Sequence, residues 1–384
     1  MFYKYHIRLK EMLKIKIAII GSRGIPPRFG GFETFVFELS KRINKISDIS
    51  IIVYGETTKS LHIIRDEYAG IKRVFVPRIG RMGVIINRIL GIRDAVYNEK
   101  VDIIYLLGYS SAFFINWKKI KKNKIKFIIN PDGLEWRRTK YSFLIRNYLK
   151  MCERIIMHNS DIIVVDSLKI GEYIKNLYER NCIYIPYGVD LSDQNPIKED
   201  DLLKTLGLSF FSYYIIVSRC IPENNILMMI KGFKKSLTDK KLLIVTNLGK
   251  GKYSQKVAES CRSDPRIILY GPLYNKEKLV QLRTNAFGYI HGHSIGGTNP
   301  SLVEAMGYGN IIVAHNNIFN KEVVSEKLGY FFKNENDLIQ ILNSLDNDPS
   351  LSRKRKMIKK RVETSYNWES IAEKYINLFK SCLK

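Results

Sequence analysis

The chain has 384 residues, 45% of them hydrophobic and 26% charged, enough for two globular domains at roughly 100–200 residues each. Sixty-three lysines and arginines stand against thirty-seven acids, a net charge of +26, and such a field draws anionic phosphates, a polyanion or an anionic membrane face. Five scattered cysteines exclude a disulfide framework and a thiolate metal cluster and predict reduced thiols in a cytoplasmic protein, while no apolar run approaches the roughly 20 residues of a membrane span.

The opening MFYKYHIRLKEML is too charged for a signal peptide. It is expected to precede a start at Met12, the alternative being a basic arm that touches a membrane. KIKIAII (14–20) then predicts a buried strand, and GSRGIPPRFGGFE (21–33) a glycine loop. Phe32, Phe35, Val36, Leu39 and Ile43 have helical spacing, so the first unit is strand, loop, helix. Further strands are predicted at 50–55, 72–77, 101–108, 126–131 and 161–167, with helices around 86–98 and 143–158. The Pro- and Gly-containing stretch YIPYGVDLSDQNPIKEDD (184–201) is expected to be a linker. A second alternating series follows, with strands at 213–219, 241–247, 266–271, 286–292 and 310–315 and helices at 225–237, 276–284 and 300–308. The tail 368–384 is amphipathic, with Ile371, Tyr375, Leu378 and Phe379 on one face.

Strands alternating with helices mean parallel sheets covered on both faces. The expected architecture is two doubly wound α/β domains, 12–190 and 205–367, facing a central cleft. Ligands of such sheets sit beyond the carboxyl ends of the strands, where four motifs fall.

In the first, Gly30 and Gly31 let backbone amides approach a ligand at the start of the helix carrying Glu33. The spacing is not G-x-G-x-x-G, which disfavours a nicotinamide enzyme, and a plain strand-to-helix turn is the alternative. In NPDGLEWRRTKYS (130–142), Asp132, Glu135, Trp136, Arg137 and Arg138 suit a sugar hydroxyl, a sugar face and a phosphate, or form a solvated loop with an internal ion pair. In VSRCIPENN (217–225), Arg219 can fork onto a diphosphate or make a structural ion pair, and Glu223, Asn224 and Asn225 begin a helix. In HGHSIGGTNPSLVEAM (291–306), Asn299 caps a helix that starts at Pro300, and the amides of Gly296, Gly297 and Thr298 can meet an anion. Glu304 can accept two ribose hydroxyls, and His291 and His293 end the strand where a reacting sugar would lie.

Taken in order, GSRGIPxxxGGFE, DGLEWRR, RxxPENN and HGHSxGGTNPSLxEAM resemble the motifs of GT-B nucleotide-sugar glycosyltransferases of family 4, within it the bacterial rhamnosyltransferase branch. The resemblance implies a retaining transferase with a C-terminal donor domain and an N-terminal acceptor domain completed by the 368–384 helix. Donor contacts would come from Arg219, Asn224, Asn225, His291, Gly296, Gly297, Thr298, Asn299, Ser301 and Glu304. Gly30, Gly31, Glu33, Glu135, Trp136 and Arg137 would form the acceptor or phosphate loop, with Asp132, Arg219 and His293 catalytic. The expected donor is dTDP-L-rhamnose and the expected acceptor a lipid-linked saccharide at the inner membrane face, in capsule or surface polysaccharide assembly. No Asp-x-Asp metal motif stands at a strand end, so neither metal nor cofactor is expected. Two charges of the wider family are missing: its first glutamate falls on Gly296 and its lysine on Asn224. Transfer from a UDP- or GDP-hexose and a sugar-nucleotide epimerase remain alternatives. A nucleic-acid binder would explain +26, but no such module is recognisable.

Overall fold

The computed structural model describes residues 14–27, 31–46, 48–80, 82–138, 141–190, 201–273 and 275–383. Gly30, the opening arm and most of the expected linker therefore lie outside the described residues. The chain divides into two compact units, residues 1–186 with 368–384 and residues 187–367.

The first unit is one eight-stranded sheet. Its strands are β1 (Ile15–Ile20), β2 (Ile49–Thr57), β3 (Ile64–Tyr68), β4 (Ile71–Pro77), β5 (Ile103–Leu107), β6 (Lys126–Asn130), β7 (Ile162–Val165) and β8 (Ile183–Tyr184). They run in the order β3-β4-β2-β1-β5-β6-β7-β8. All neighbours are parallel except β3 and β4. The β-branched runs end up in the middle: β5 is buried at every position, as a strand covered on both faces must be. The helices are α1 (Gly31–Ile43), α2 (Gly83–Asp94), α3 (Trp117–Lys122), α4 (Phe143–Asn159) and α5 (Leu168–Tyr178).

The second unit is a six-stranded, wholly parallel sheet. Its strands are β9 (Tyr213–Val217), β10 (Lys241–Val245), β11 (Ile267–Tyr270), β12 (Gly288–His291), β13 (Ile311–His315) and β14 (Tyr330–Phe332), in the order β11-β10-β9-β12-β13-β14. Helices α6 (Asp201–Thr205), α7 (Ile226–Lys235), α8 (Lys252–Arg262), α9 (Lys276–Thr284), α10 (Pro300–Gly307), α11 (Ile318–Val324), α12 (Glu335–Leu345) and α13 (Leu351–Ser365) complete it. Two apolar cores form, one around Tyr213, Ile215, Val303 and Met306 and the other around Tyr214, Ile230, Phe233 and Leu342. The lysine-rich run 353–361 lies on α13, where Arg355 and Arg361 are tied down: Arg355 donates to the Gly309 and Phe287 carbonyls, and Arg361 to those of Val323 and Glu322.

The domain boundary differs from expectation. Residues 187–190 and α6 belong to the second unit, because Val189 and Leu203 are buried in its core and the Val189 amide donates to the Tyr366 carbonyl at 2.8 Å. The final helix α14 (Trp368–Ser381) returns to the first unit and packs on α1. Its Tyr375 ring sits 5.6 Å from Phe35 and 5.7 Å from Tyr105, and Trp368 lies 6.1 Å from Phe35. Among the described residues no helix is long and apolar enough to cross a membrane.

Candidate active site

In a doubly wound sheet the ligand crevice opens where the strand order reverses, beyond the carboxyl ends of the two strands flanking the reversal. In the second unit those strands are β9 and β12. The loop after β9 carries Arg219, and the loop after β12 runs from Gly292 to the start of α10.

These two loops are stitched together. Asn225, in the left-handed region at φ 51°, donates from Nδ2 to the Gly292 carbonyl at 2.8 Å. Both the amide and the hydroxyl of Ser294 donate to the Glu223 carbonyl. Asn224 donates from Nδ2 to the Arg219 carbonyl at 2.8 Å, and its Oδ1 lies 2.7 Å from Nδ1 of His293. With Oδ1 the acceptor, Nδ1 of His293 holds the proton, and its Nε2 lies on the side of Gly296. The backbone of His293 is fixed as well, since Asn317 and Asn320 both donate to its carbonyl.

Gly296 has φ 112°, a conformation open to glycine and costly for any residue with a Cβ. No other described residue accepts from the Gly296 or Gly297 amides. Asn299 caps α10 by accepting from the Ser301 amide at 3.0 Å, with Pro300 in the first turn. The helix thus begins beside a bare glycine turn, and both features favour an anion. Arg219 is exposed at the mouth of the β9 loop.

Several predicted donor contacts face inward instead. Asn224 and Asn225 spend their amides on the two loops. The Ser301 hydroxyl donates to the Val217 carbonyl and accepts from Nη2 of Arg283. His291 is buried and stacked on Tyr289, and its Nε2 has no partner among the described residues; burial, then the neighbouring His293 and His315, pushes its pKa well down, so it is neutral. Glu304 is partly spent too, because Oε2 pairs with the buried guanidinium of Arg283 on α9. Burial works against the charge of Arg283, but the Glu304 carboxylate together with Tyr289 and Tyr308 holds that pKa raised. Thr298 is buried directly before the cap.

In the first unit the order reverses between β1 and β5. Gly21, at φ 117°, lets the turn after β1 press against the end of β5, where a Cβ would fall 2.3 Å from the Leu107 oxygen. Glu33, buried in the first turn of α1 after Gly31, accepts from the Arg23 amide at 3.0 Å, so it braces the glycine turn with one of its oxygens.

Beyond β6, Asp132 has φ 61°, strained for a non-glycine residue, and its amide donates to Oδ1 of buried Asn130 at 3.0 Å. The Asn130 side chain reaches the Tyr105 hydroxyl, which meets the Tyr375 hydroxyl at 2.9 Å. A buried polar chain therefore runs from α14 to the Asp132 backbone. The Asp132 carboxylate lies 3.5 Å from Arg138, and Glu135 accepts from the Tyr141 hydroxyl at 2.8 Å. Trp136 was expected to offer its ring to a sugar, yet Lys150 Nζ stands 4.4 Å and the Arg137 guanidinium 5.1 Å from its centroid. Cation–π attraction explains the difference.

Two residues of these sites escaped the sequence. One is Arg283. The other is Arg88 on α2, 9% exposed, which donates from Nη1 to the Ser110 hydroxyl at 2.6 Å beside the left-handed Gly108 at the end of β5. An arginine inside a helical segment reads as surface, so no signal pointed to either. Among the described residues no cluster of three or more His, Cys, Asp or Glu is placed to hold a metal ion.

Residues 14–190 match the family described as Domain of unknown function (DUF1972), and residues 211–378 match Glycosyl transferases group 1. Sucrose-phosphate synthase from Thermosynechococcus elongatus shares the fold at TM-score 0.81 and 16% identity, covering 96% of this chain and 99% of its own. HepE from Anabaena in complex with UDP-glucose does so at 0.75 and 13%, covering 95% and 99%. An alpha,alpha-trehalose-phosphate synthase (UDP-forming) from Burkholderia xenovorans, solved with glucose-6-phosphate, gives 0.74 and 11%, covering 96% and 100%. The search of curated proteins found no match. These likenesses establish the GT-B fold.

Proposed function

The chain is a glycosyltransferase of the GT-B fold, and we propose that it moves L-rhamnose from dTDP-L-rhamnose onto a lipid-linked saccharide in capsular or cell-surface polysaccharide assembly. The observation that carries a nucleotide-sugar donor is the stitched pair of loops at the β9/β12 reversal. Exposed Arg219, the bare glycine turn and the start of α10 offer positive potential to a diphosphate. HepE, of the same fold, is solved with UDP-glucose.

The rhamnose assignment rests on the four motifs and on two charges that this site lacks. At φ 112°, residue 296 favours glycine over the glutamate of the wider family, and Asn224 is used up in holding His293. A deoxysugar without a 6-hydroxyl needs fewer polar partners there. The competing reading, a UDP-hexose donor, draws on the HepE complex.

The chemistry follows from charge. The bond from the anomeric carbon to the diphosphate oxygen breaks, and the acceptor oxygen bonds to that carbon on the same face. The acceptor proton passes to the departing diphosphate oxygen. Arg219 and the loop amides stabilise the negative charge as it develops, and preorganised donors of this type supply about 10²–10³ in rate each. This reading takes no metal and no cofactor. Asp132, on its strained turn, orients the acceptor hydroxyl. The first unit would meet an anionic inner membrane face through exposed Phe113 and Phe114, which stand just before the basic helix α3.

Thermal unfolding against a panel of nucleotide sugars tests the donor. A ligand at a hundredfold its Kd adds about 2.7 kcal/mol. Stabilisation by dTDP-L-rhamnose and not by UDP- or GDP-hexoses is expected; the reverse overturns the rhamnose assignment. Release of free sugar nucleotide epimer without acceptor would instead mark an epimerase.

A further inference from the structure

The first unit holds a buried positive charge that its described residues leave open. Arg88 is 9% exposed and, among the described residues, makes a single hydrogen bond, to Ser110 Oγ at 2.6 Å. Its Nε is buried and has no partner among the described residues. No carboxylate among the described residues lies within 4.0 Å of it. A guanidinium has five N–H donors, and a buried one without a counter-ion is costly unless something else completes it.

Its position says what that something is. Arg88 lies where the strand order of the first sheet reverses, at the end of β5, the place where a doubly wound sheet receives its ligand. Gly108 stands over it, and a Cβ there would come 3.1 Å from Nη2, so glycine keeps that edge of the fork uncovered. The carboxylates of Glu135, Asp132 and Glu56 act on it only at longer range. Burial is the larger effect and pushes the Arg88 pKa down; these carboxylates offset it only in part, and none occupies the hydrogen-bonding edge of the guanidinium. Arg219 and the α10 turn, by contrast, belong to the second unit.

We propose that Arg88 is the oxyanion-binding residue of the first unit, forking onto a phosphate or carboxylate carried by the acceptor, with Asp132 taking that molecule's hydroxyl. The proposal rests on the reading that the first unit receives the acceptor. The oxyanion has two sources, a diphosphate that links saccharide to lipid or the carboxylate of a uronic acid, and the fork fits both.

Isothermal titration separates them. The full chain is first saturated with dTDP to occupy the donor site, then titrated with inorganic pyrophosphate, with glucuronate and with neutral glucose. Wild type is expected to bind one of the two anions. Arg88→Gln should weaken that binding at least tenfold, Arg88→Lys should weaken it less, and Arg219→Gln, titrated with dTDP raised until its donor site is again saturated, should leave it unchanged. Pyrophosphate binding identifies the lipid diphosphate, and glucuronate binding a uronate. Equal binding by wild type and both Arg88 variants, loss in Arg219→Gln instead, or binding of neither anion by wild type overturns the proposal. Unfolding of each variant is monitored by circular dichroism, and Ser110→Ala, which keeps the charge but removes its anchor, supplies a further variant expected to weaken the anion several-fold. Failure of the donor assignment would show separately, as absence of protection by dTDP-L-rhamnose while the anion titration stays intact.

Discussion

His293 Nδ1 lies 2.7 Å from Oδ1 of Asn224, whose Nδ2 in turn holds the Arg219 carbonyl at 2.8 Å. One buried amide thus fixes the imidazole tautomer and the turn that carries the guanidinium. Asn224→Ala removes both, at about 1–3 kcal/mol for unmade buried hydrogen bonds. Expressed as transition-state energy, this predicts a loss of roughly 5- to 150-fold in kcat/KM. Asn224→Asp keeps an acceptor for His293 but no donor for the Arg219 carbonyl, so it should fall between the two. Steady-state kinetics with saturating acceptor makes the check, and unchanged kinetics in Asn224→Ala would remove this bracket from the mechanism.

Gly296→Glu restores the residue type of the wider family, but on a backbone at φ 112°. The strain is of order 1–3 kcal/mol. The expectation is weaker donor binding, with no gain in hexose selectivity, measured by titrating both nucleotide sugars. A variant that prefers UDP-glucose would show that the missing carboxylate alone sets the donor.

Phe113 and Phe114 are 52% and 46% exposed, with ring centroids 5.2 Å apart, and helix α3 behind them adds four lysines. Apolar side chains beside basic ones favour an anionic bilayer at about 1 kcal/mol per well-placed cation. Sedimentation with anionic vesicles should pull down the protein at low salt and lose it at high salt, with neutral vesicles inert. Replacing both phenylalanines by serine should release it. Binding indifferent to lipid charge contradicts the membrane role.

The sheets were legible in the sequence because buried parallel strands are near-continuous apolar runs rich in isoleucine and valine, as β1, β5 and β9 are. What lacked that contrast was lost. β3 (IRDEY) is exposed at every position and exists because Asp66 and Arg73 clasp across its pairing with β4. Helix α8 buries only Ser254, Val257 and Cys261, and α13 only Ile358 and Val362. In the sites, glycine turns and caps were readable because they are properties of the local backbone. The roles of Asn224, Ser301 and Glu304 were not, because their partners His293, Val217 and Arg283 come from other elements.

His291 and His315 both have pKa values pushed down by burial, below an ordinary histidine near 6.5. The unfolded chain takes up these protons first as pH falls below about 6.5, whereas the folded chain resists. Stability is therefore full above that value and declines beneath it, by at most about 1.4 kcal/mol per pH unit per histidine. Urea midpoints measured from pH 7.5 to 5.5 should decline, and His291→Asn should flatten the slope. A midpoint that rises on acidification would contradict the buried, neutral state of His291.

Glu304 tests whether a predicted ligand contact is also a structural one. Arg283 is 3% exposed and pairs with it, so Glu304→Ala strands a buried cation. Breaking such a pair costs about 3–5 kcal/mol, against near zero for an exposed carboxylate. At roughly 2–4 °C per kcal/mol for a unit of this size, Tm should fall by about 6–20 °C without any ligand present. Nucleotide affinity then separates the roles. Glu304→Gln keeps an oxygen for Arg283 and should recover part of the stability. If Glu304 also accepts ribose hydroxyls through its other oxygen, that variant still binds dTDP at least several-fold more weakly than wild type. Recovery of stability together with full affinity would leave Glu304 only its partnership with Arg283.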